Sequence, residues 1–220
     1  MRVGFISKGK VYDFEKEISE GERLADLLLF GFNGLGEVCY EKELKGESGY
    51  FERVATLSKT CKNLVVCGCI TDTRGLKRKS VVVAEKGKIL GISDMLHAVD
   101  GEVNSGGAVK LYDTEIGKIG VAVAEDLLFP DVVRSLSLCG AECILCPFGR
   151  VYDSVQSVLL RAYAYCYGVP ILFCAQGYSL AAEIDGSLLF ASPQSPIYLD
   201  VEWKKEYHLV EIRRRGCYRP

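Results

Sequence analysis

The chain has 220 residues, 49% of them hydrophobic, and a formal net charge of -2. A chain of this size buries roughly 70% of its unfolded surface, enough for a full core, and its near-neutral charge gives no electrostatic case for binding nucleic acid. The apolar runs LLLFGF and VPILFCA stop far short of the ~18 residues a membrane helix needs, and MRVGFISKGKVYDFEKE meets charge too early for a secretory signal. The expectation is therefore a cytoplasmic protein with no membrane partner.

In chain order, RVGFIS (2–7) and ADLLLFGF (25–32) read as buried strands. The spacing of Tyr50, Val54, Leu57 and Cys61 predicts a helix over 48–61 with those residues on its buried face. NLVVCGCI (63–70) is a strand, KSVVVAEKGKILGIS (79–93) a hairpin turning at Lys86-Gly87, and 108–124 a second hairpin around Thr114–Gly117. Pro130 suits a first helical position, Val132, Leu136 and Cys139 share a face, and Gly140 stops that helix. AECILCPFG (141–149) is a strand. SVQSVLLRAYAYCYG (154–168) is a helix, with Ser154 as cap, Gly168 as stop, and Val155, Val158, Leu159, Ala162 and Cys166 on its predicted core face. VPILFCAQ (169–176), SLLFAS and EYHLVEIRR supply further strands. Alternating strands and helices with hairpins between them predict an α/β (α+β) fold with mixed sheets covered by helices. No linker or repeat interrupts the chain, so one domain over 1–220 is expected.

Most of the ten cysteines sit in apolar segments and read as core thiols. Cys143 and Cys146 form a C-x-x-C, but residues three apart on a strand point to opposite faces, so the pair neither chelates one metal nor closes a redox bridge. No phosphate loop, dinucleotide fingerprint or G-x-S-x-G elbow is present. His97 and His208 lack metal-ligand spacing, and His208 reads as a surface or edge residue. RRR at 213–215 reads as a solvated tail. Neither a metal nor a cofactor is expected.

The stretch GKIGVAVAEDLLFP (117–130) runs a Gly-flanked strand into a carboxylate pair and a helix-opening Phe129-Pro130. Many hydrolytic enzymes display a nucleophile at such a turn, yet its tip is Ala124. Together with GKILGISDMLHAVDGE (87–102), the continuation through GAECILCPFG, and LLRAYAYCYGVPILFCAQG (159–177), this stretch resembles the nitrilase superfamily of carbon–nitrogen hydrolases over nearly the whole chain.

The resemblance implies an α-β-β-α sandwich, often dimerised through its helices, and amide or nitrile chemistry by a Glu–Lys–Cys triad. In that triad Cys attacks carbon, Glu takes its proton and Lys stabilises the developing charge. Carried over by position, the Glu falls on Phe32, the Lys on Met95 and the Cys on Ala124. A supporting acid falls on Glu102; Asp126, Phe129 and Pro130 match, with Asp131 for Glu. The family's later Glu-Asn is Cys166-Tyr167, and the chain is shorter than usual around 8–24 and after Gly177.

Triad members act as a unit, so losing all three leaves binding alone. The expectation is a catalytically inactive homologue that binds a small molecule or a protein, as a homodimer or beside a related subunit. Glu102, Glu125, Asp126, Cys146 and Phe148 would line any residual pocket. The alternative is a hydrolase whose nucleophile has moved to Cys146, with Glu37, Glu102 or Glu125 as acid or base. A third reading is an interaction module without a ligand. Whether Phe32, Met95 and Ala124 close the cleft or line an open one discriminates among them.

Overall fold

A computed structural model describes residues 1–17, 24–99, 101–151 and 153–202. The first sheet has the order β13-β1-β2-β4-β5-β6, with β3 also paired to β4. Its strands are β1 (Arg2–Ile6), β2 (Leu27–Phe30), β3 (Gly36–Cys39), β4 (Leu64–Thr73), β5 (Leu76–Glu85), β6 (Lys88–Asp94) and β13 (Ile197–Asp200). The second sheet runs β12-β11-β10-β9-β8-β7. It is built from β7 (Leu111–Thr114), β8 (Gly117–Val121), β9 (Cys143–Pro147), β10 (Ile171–Ala175), β11 (Tyr178–Ala182) and β12 (Leu188–Ser192). Both sheets are mixed: β1, β2, β3 and β4 run parallel, as do β8, β9 and β10, while the remaining pairings are antiparallel. The helices are α1 (Val11–Glu17), α2 (Tyr40–Lys45), α3 (Tyr50–Thr60), α4 (Pro130–Leu138) and α5 (Val155–Tyr167).

Alternation along the strands builds the layers. In β2, Leu27 and Leu29 enter one apolar cluster while Leu28 and Phe30 enter another. In β9, Cys143 and Leu145 face the first sheet, whereas Ile144 and Cys146 face the helices. Strands buried on both faces read as unbroken apolar runs, which is why they are visible in the sequence. The inter-sheet cluster joins Val3, Phe5, Val66 and Val81 to Val121, Leu172 and Ala181. Val54 and Leu57 of α3 cover the outside of the first sheet, and Val132, Leu136, Leu160 and Ala164 of α4 and α5 cover the outside of the second. This is the expected α-β-β-α sandwich.

Both predicted hairpins form, and the β5–β6 turn uses Lys86 at φ 51 and Gly87 at φ 82. A third hairpin, β4–β5, turns at Arg74 and Gly75 with the same pair of positive φ angles (54 and 85), the geometry of a two-residue primed turn.

Three predicted helix faces are corrected. Tyr50 and Cys139 are exposed. In α5 the buried residues are Gln156, Leu160, Tyr163 and Ala164, while Val155 and Val158 stand exposed. Ala162 is exposed too, and Leu159 and Cys166 are half-buried. Arg161 is the sole charged residue in VQSVLLRAYAYCY, so apolar residues occupy both faces and periodicity alone selects the wrong one. Ser154 makes no side-chain cap; Asp153 Oδ1 accepts from Val155 N at 2.9 Å instead. The predicted strand EYHLVEIRR, with His208, and the 213–215 cluster lie outside the described residues.

Candidate functional site

The strand ends that would display the triad meet at one end of the sandwich. After β2 the chain turns at Gly31, and Phe32 N donates to Phe148 O across the two sheets at 3.0 Å. Gly68 of β4 leaves room for this crossing: a Cβ there would sit 2.4 Å from Phe32 Cα. After β6, Met95 N donates to Lys79 O and Met95 O accepts from Gly106 N. After β8, Ala124 opens a 3-10 turn (Ala124–Leu128) with φ at +48. Left-handed backbone costs a non-glycine residue on the order of 1 kcal/mol, so Ala124 holds a strained turn with only a methyl group at its tip.

Phe32 is 5% exposed, Met95 0% and Ala124 1%, and all three belong to the inter-sheet cluster. None of these three positions carries a nucleophile, a base or a cation, although the Lys79–Glu125 ion pair lies beside Ala124 and Met95.

None of Glu102, Glu125, Asp126, Cys146 and Phe148, the residues expected around a residual pocket, lines any of three surface cavities formed by described residues. Glu102 is exposed on the 101–103 turn. Asp126 is 2% exposed and fully engaged: its carboxylate accepts from Leu96 N (2.9 Å) and His97 N (3.0 Å) and meets His97 Nδ1 at 3.2 Å. Burial raises its pKa above the ordinary carboxylate value, and these hydrogen bonds only partly oppose that. His97 also stacks on Phe129 with ring centroids 4.0 Å apart and approaches Asp131 at 3.5 Å. Asp126, His97 and Phe129 therefore form a clip holding the segment after β6 against the turn after β8. Glu125 is bound to Lys79 Nζ at 2.9 Å. Lys79 shares the inward face of β5 with Val81 and Val83, and the sequence signal for it was its place in that alternation.

Cys146 Sγ lies 4.0 Å from Ala124 O, and its side chain belongs to the helix-side cluster with Phe148. It is 0% exposed, and burial, reinforced by Asp126 and Glu125, pushes its thiol well above the ordinary value. Such a thiol carries almost no thiolate at neutral pH. Glu37, the other expected acid, pairs with Lys77 at 2.6 Å on the surface. Three surface cavities of about 490, 520 and 540 Å³ are lined by none of Phe32, Met95, Ala124 or Cys146. Among the described residues the cysteines are all free thiols, six of them buried, and no group of three or more His, Cys, Asp or Glu side chains is placed to hold a metal. No helix among them is long and apolar enough to cross a membrane.

This is the architecture of the nitrilase superfamily. Residues 26–215 match the carbon–nitrogen hydrolases, and the chain belongs to that family. It is 22% identical over 182 residues to a probable nitrilase of Schizosaccharomyces pombe, covering 74% of this chain and 65% of that protein. It is 35% identical over 89 residues to a Pseudomonas protegens protein described as a hydrolase in the pqqF 5′ region, covering 35% and 31% of the two chains. The chain thus spans less than two thirds of the length of either curated relative. Among solved structures, an amidase from Nesterenkonia sp. superposes with a TM-score of 0.78 at 17% identity, over 99% of this chain and 94% of that one. A carbon–nitrogen hydrolase from Helicobacter pylori G27 gives 0.74 at 17% identity, over 98% and 92%. At these identities the likeness is one of fold.

Proposed function

We propose that the protein is a catalytically inactive member of the family that acts by binding a protein partner, through the helix layer outside its second sheet. The observation that carries the inactive reading is the burial of Phe32, Met95 and Ala124 in one apolar cluster. A site that must admit a nitrile or amide needs space and a charged triad at the same place, and here the three triad positions carry buried apolar side chains. The second reading, a nucleophile relocated to Cys146, has the thiol close to Ala124 but fully buried and with its ionisation suppressed. Iodoacetamide at neutral pH is expected to label the exposed Cys139 and leave Cys146 unmodified in the folded protein; rapid alkylation of Cys146 would restore the hydrolase reading.

Binding to a protein is supported by α5. Its outward residues Val155, Val158, Leu159, Ala162 and Tyr165 recur at helical spacing, with Val158 61% exposed and Tyr165 45%. An apolar stripe of this kind marks an interaction surface. The occupant we assign is a second copy or a related family subunit, meeting helix to helix in a two-fold arrangement. Light scattering after gel filtration is expected to give a dimer, or a mixed dimer when a catalytically active relative is added. Val158→Lys should weaken that association by at least about tenfold, with little loss of monomer stability. A wild-type protein that stays monomeric at high concentration and in such mixtures would sink the subunit assignment.

A further inference from the structure

On the helix side of the first sheet, a cavity of about 490 Å³ opens between the start of α1, the turn ahead of β3 and the first turn of α3. Lys10 and Arg53 give it a cationic wall, Glu47 an acidic one, and Leu35 and Tyr50 bring apolar surface. The guanidinium of Arg53 lies over the ring of Tyr12, 5.0 Å from its centroid. A cation–π contact of this kind holds the planar group by its face and leaves its N–H edge unspent. Tyr50 is 41% exposed, so much of its ring is open to a ligand.

The charged groups around this cavity divide into those already engaged and those still open. Glu37, which also lines it, pairs with Lys77 at 2.6 Å. Glu43 closes the start of α3: its carboxylate accepts from Ser48 Oγ, from Tyr50 N at 3.1 Å and from Phe51 N at 3.2 Å. That helix end is therefore capped from within the chain. Among the described residues no carboxylate pairs with Lys10 or Arg53, and no cation pairs with Glu47. Unpaired charges of both signs thus line one cavity, held beyond ion-pair distance of each other. Gly36 completes the wall, and a Cβ there would meet nothing within 4 Å, so its main chain is bare to an incoming molecule.

We propose that this cavity binds a zwitterionic α-amino acid with a large apolar side chain. Its carboxylate meets the open edge of Arg53, with Lys10 beside it, its ammonium meets Glu47, and its side chain lies against Leu35 and the Tyr50 ring. The guanidinium fork matches a carboxylate through two parallel hydrogen bonds, and a few convergent polar groups in a partly apolar cavity are the usual design of a small-molecule site. Glu47 selects against a ligand that carries only negative charge, and the two cations select against a bare amine. The cavity lies outside the first sheet, away from α5 and from the inter-sheet layer of Phe32, Met95 and Ala124. It is independent of the inactive reading and of the dimer.

The test uses three probes that share a phenylethyl body and differ in charge: phenylalanine, 3-phenylpropionate and 2-phenylethylammonium. Phenylalanine is expected to shift the Gly36 amide and Arg53 Nε–H resonances saturably, with a Kd of about 1 mM or tighter. Each singly charged probe should bind at least about fivefold more weakly, because it leaves one side of the cavity unpaired. Arg53→Gln should abolish the phenylalanine response, and Glu47→Gln should erase the preference for phenylalanine over 3-phenylpropionate. Both side chains are exposed, so both variants should fold and melt within about 2 degrees of the wild type. Silence from all three probes would mean that these are solvated surface charges, and the proposal fails. It fails equally if 3-phenylpropionate binds the wild type as tightly as phenylalanine does, if Glu47→Gln keeps the preference, or if Arg53→Gln still binds phenylalanine.

Discussion

Met95→Lys is expected to destabilise the protein by about 3–5 kcal/mol, the usual effect of an uncompensated buried charge. Met95 is fully buried among apolar side chains of both sheets, so the new ammonium must shed its proton or open the layer. Desolvation depresses the folded pKa of such a lysine. Stability is therefore lost as pH falls below the unfolded lysine value of about 10.4, and the deficit should be larger at neutral pH than near pH 10. Urea midpoints at the two pH values read both effects. Whole domains have only about 5–15 kcal/mol of stability, so the variant would stand near the edge of folding. Ala124→Cys restores the sulfur alone; it is expected to fold and to hydrolyse neither amides nor nitriles, because no base or cation stands at Phe32 or Met95. A Met95→Lys variant as stable as the wild type would show that the cleft is open, and the inactive reading would lose its main support.

Asp126→Ala is expected to cost about 3 kcal/mol, because Leu96 N and His97 N lose a charged acceptor in a buried setting. Asp126→Asn should cost less, since its oxygen can still accept from the main chain. The pH dependence separates charge from hydrogen bonding. The folded pKa of Asp126 is raised, chiefly by burial, so its protonated form suits the fold better than its carboxylate does. Its pH-linked contribution is fully present below the ordinary carboxylate pKa and is lost as pH rises through the folded value. The stability advantage of wild type over Asp126→Asn should accordingly shrink as pH rises from acid towards neutral. An advantage that grows over that range would overturn the assignment of burial as the dominant influence.

Much of the fold was legible because strands buried on both faces write themselves as apolar runs between glycines; β2, β4, β9 and β10 are of this kind. Segments without an unbroken apolar run were not: β3 (GEVC), β11 (YSLAA) and β13 (IYLD) are no shorter than β2, but polar or small residues interrupt them. The inward face of α5 was misread because a helix apolar all round gives periodicity nothing to choose between, and an outward stripe mimics an inward one. At the site, the apolar residues Phe32, Met95 and Ala124 were visible in the sequence, but the fate of their neighbours was not. Asp126 and Glu125 looked available; hydrogen bonding to Leu96 and His97, and pairing with Lys79, consume them. Those partners lie 29 to 46 positions away along the chain, and nothing in local pattern announces them.

The interior between the sheets is a slab of Leu, Val, Ile, Phe and Cys side chains, and contacts of that kind hold two surfaces together without dictating how far one is slid along the other. The offset must come from directional bonds at the margins. Phe32 to Phe148, Gly177 to Ser7 and the Asp126 clip tie one margin; Glu115 to Glu85 and to Lys86 ties the other. The sandwich behaves like two plates bolted at both edges over a greased face. The clip of Asp126, His97 and Phe129 works as one of the bolts.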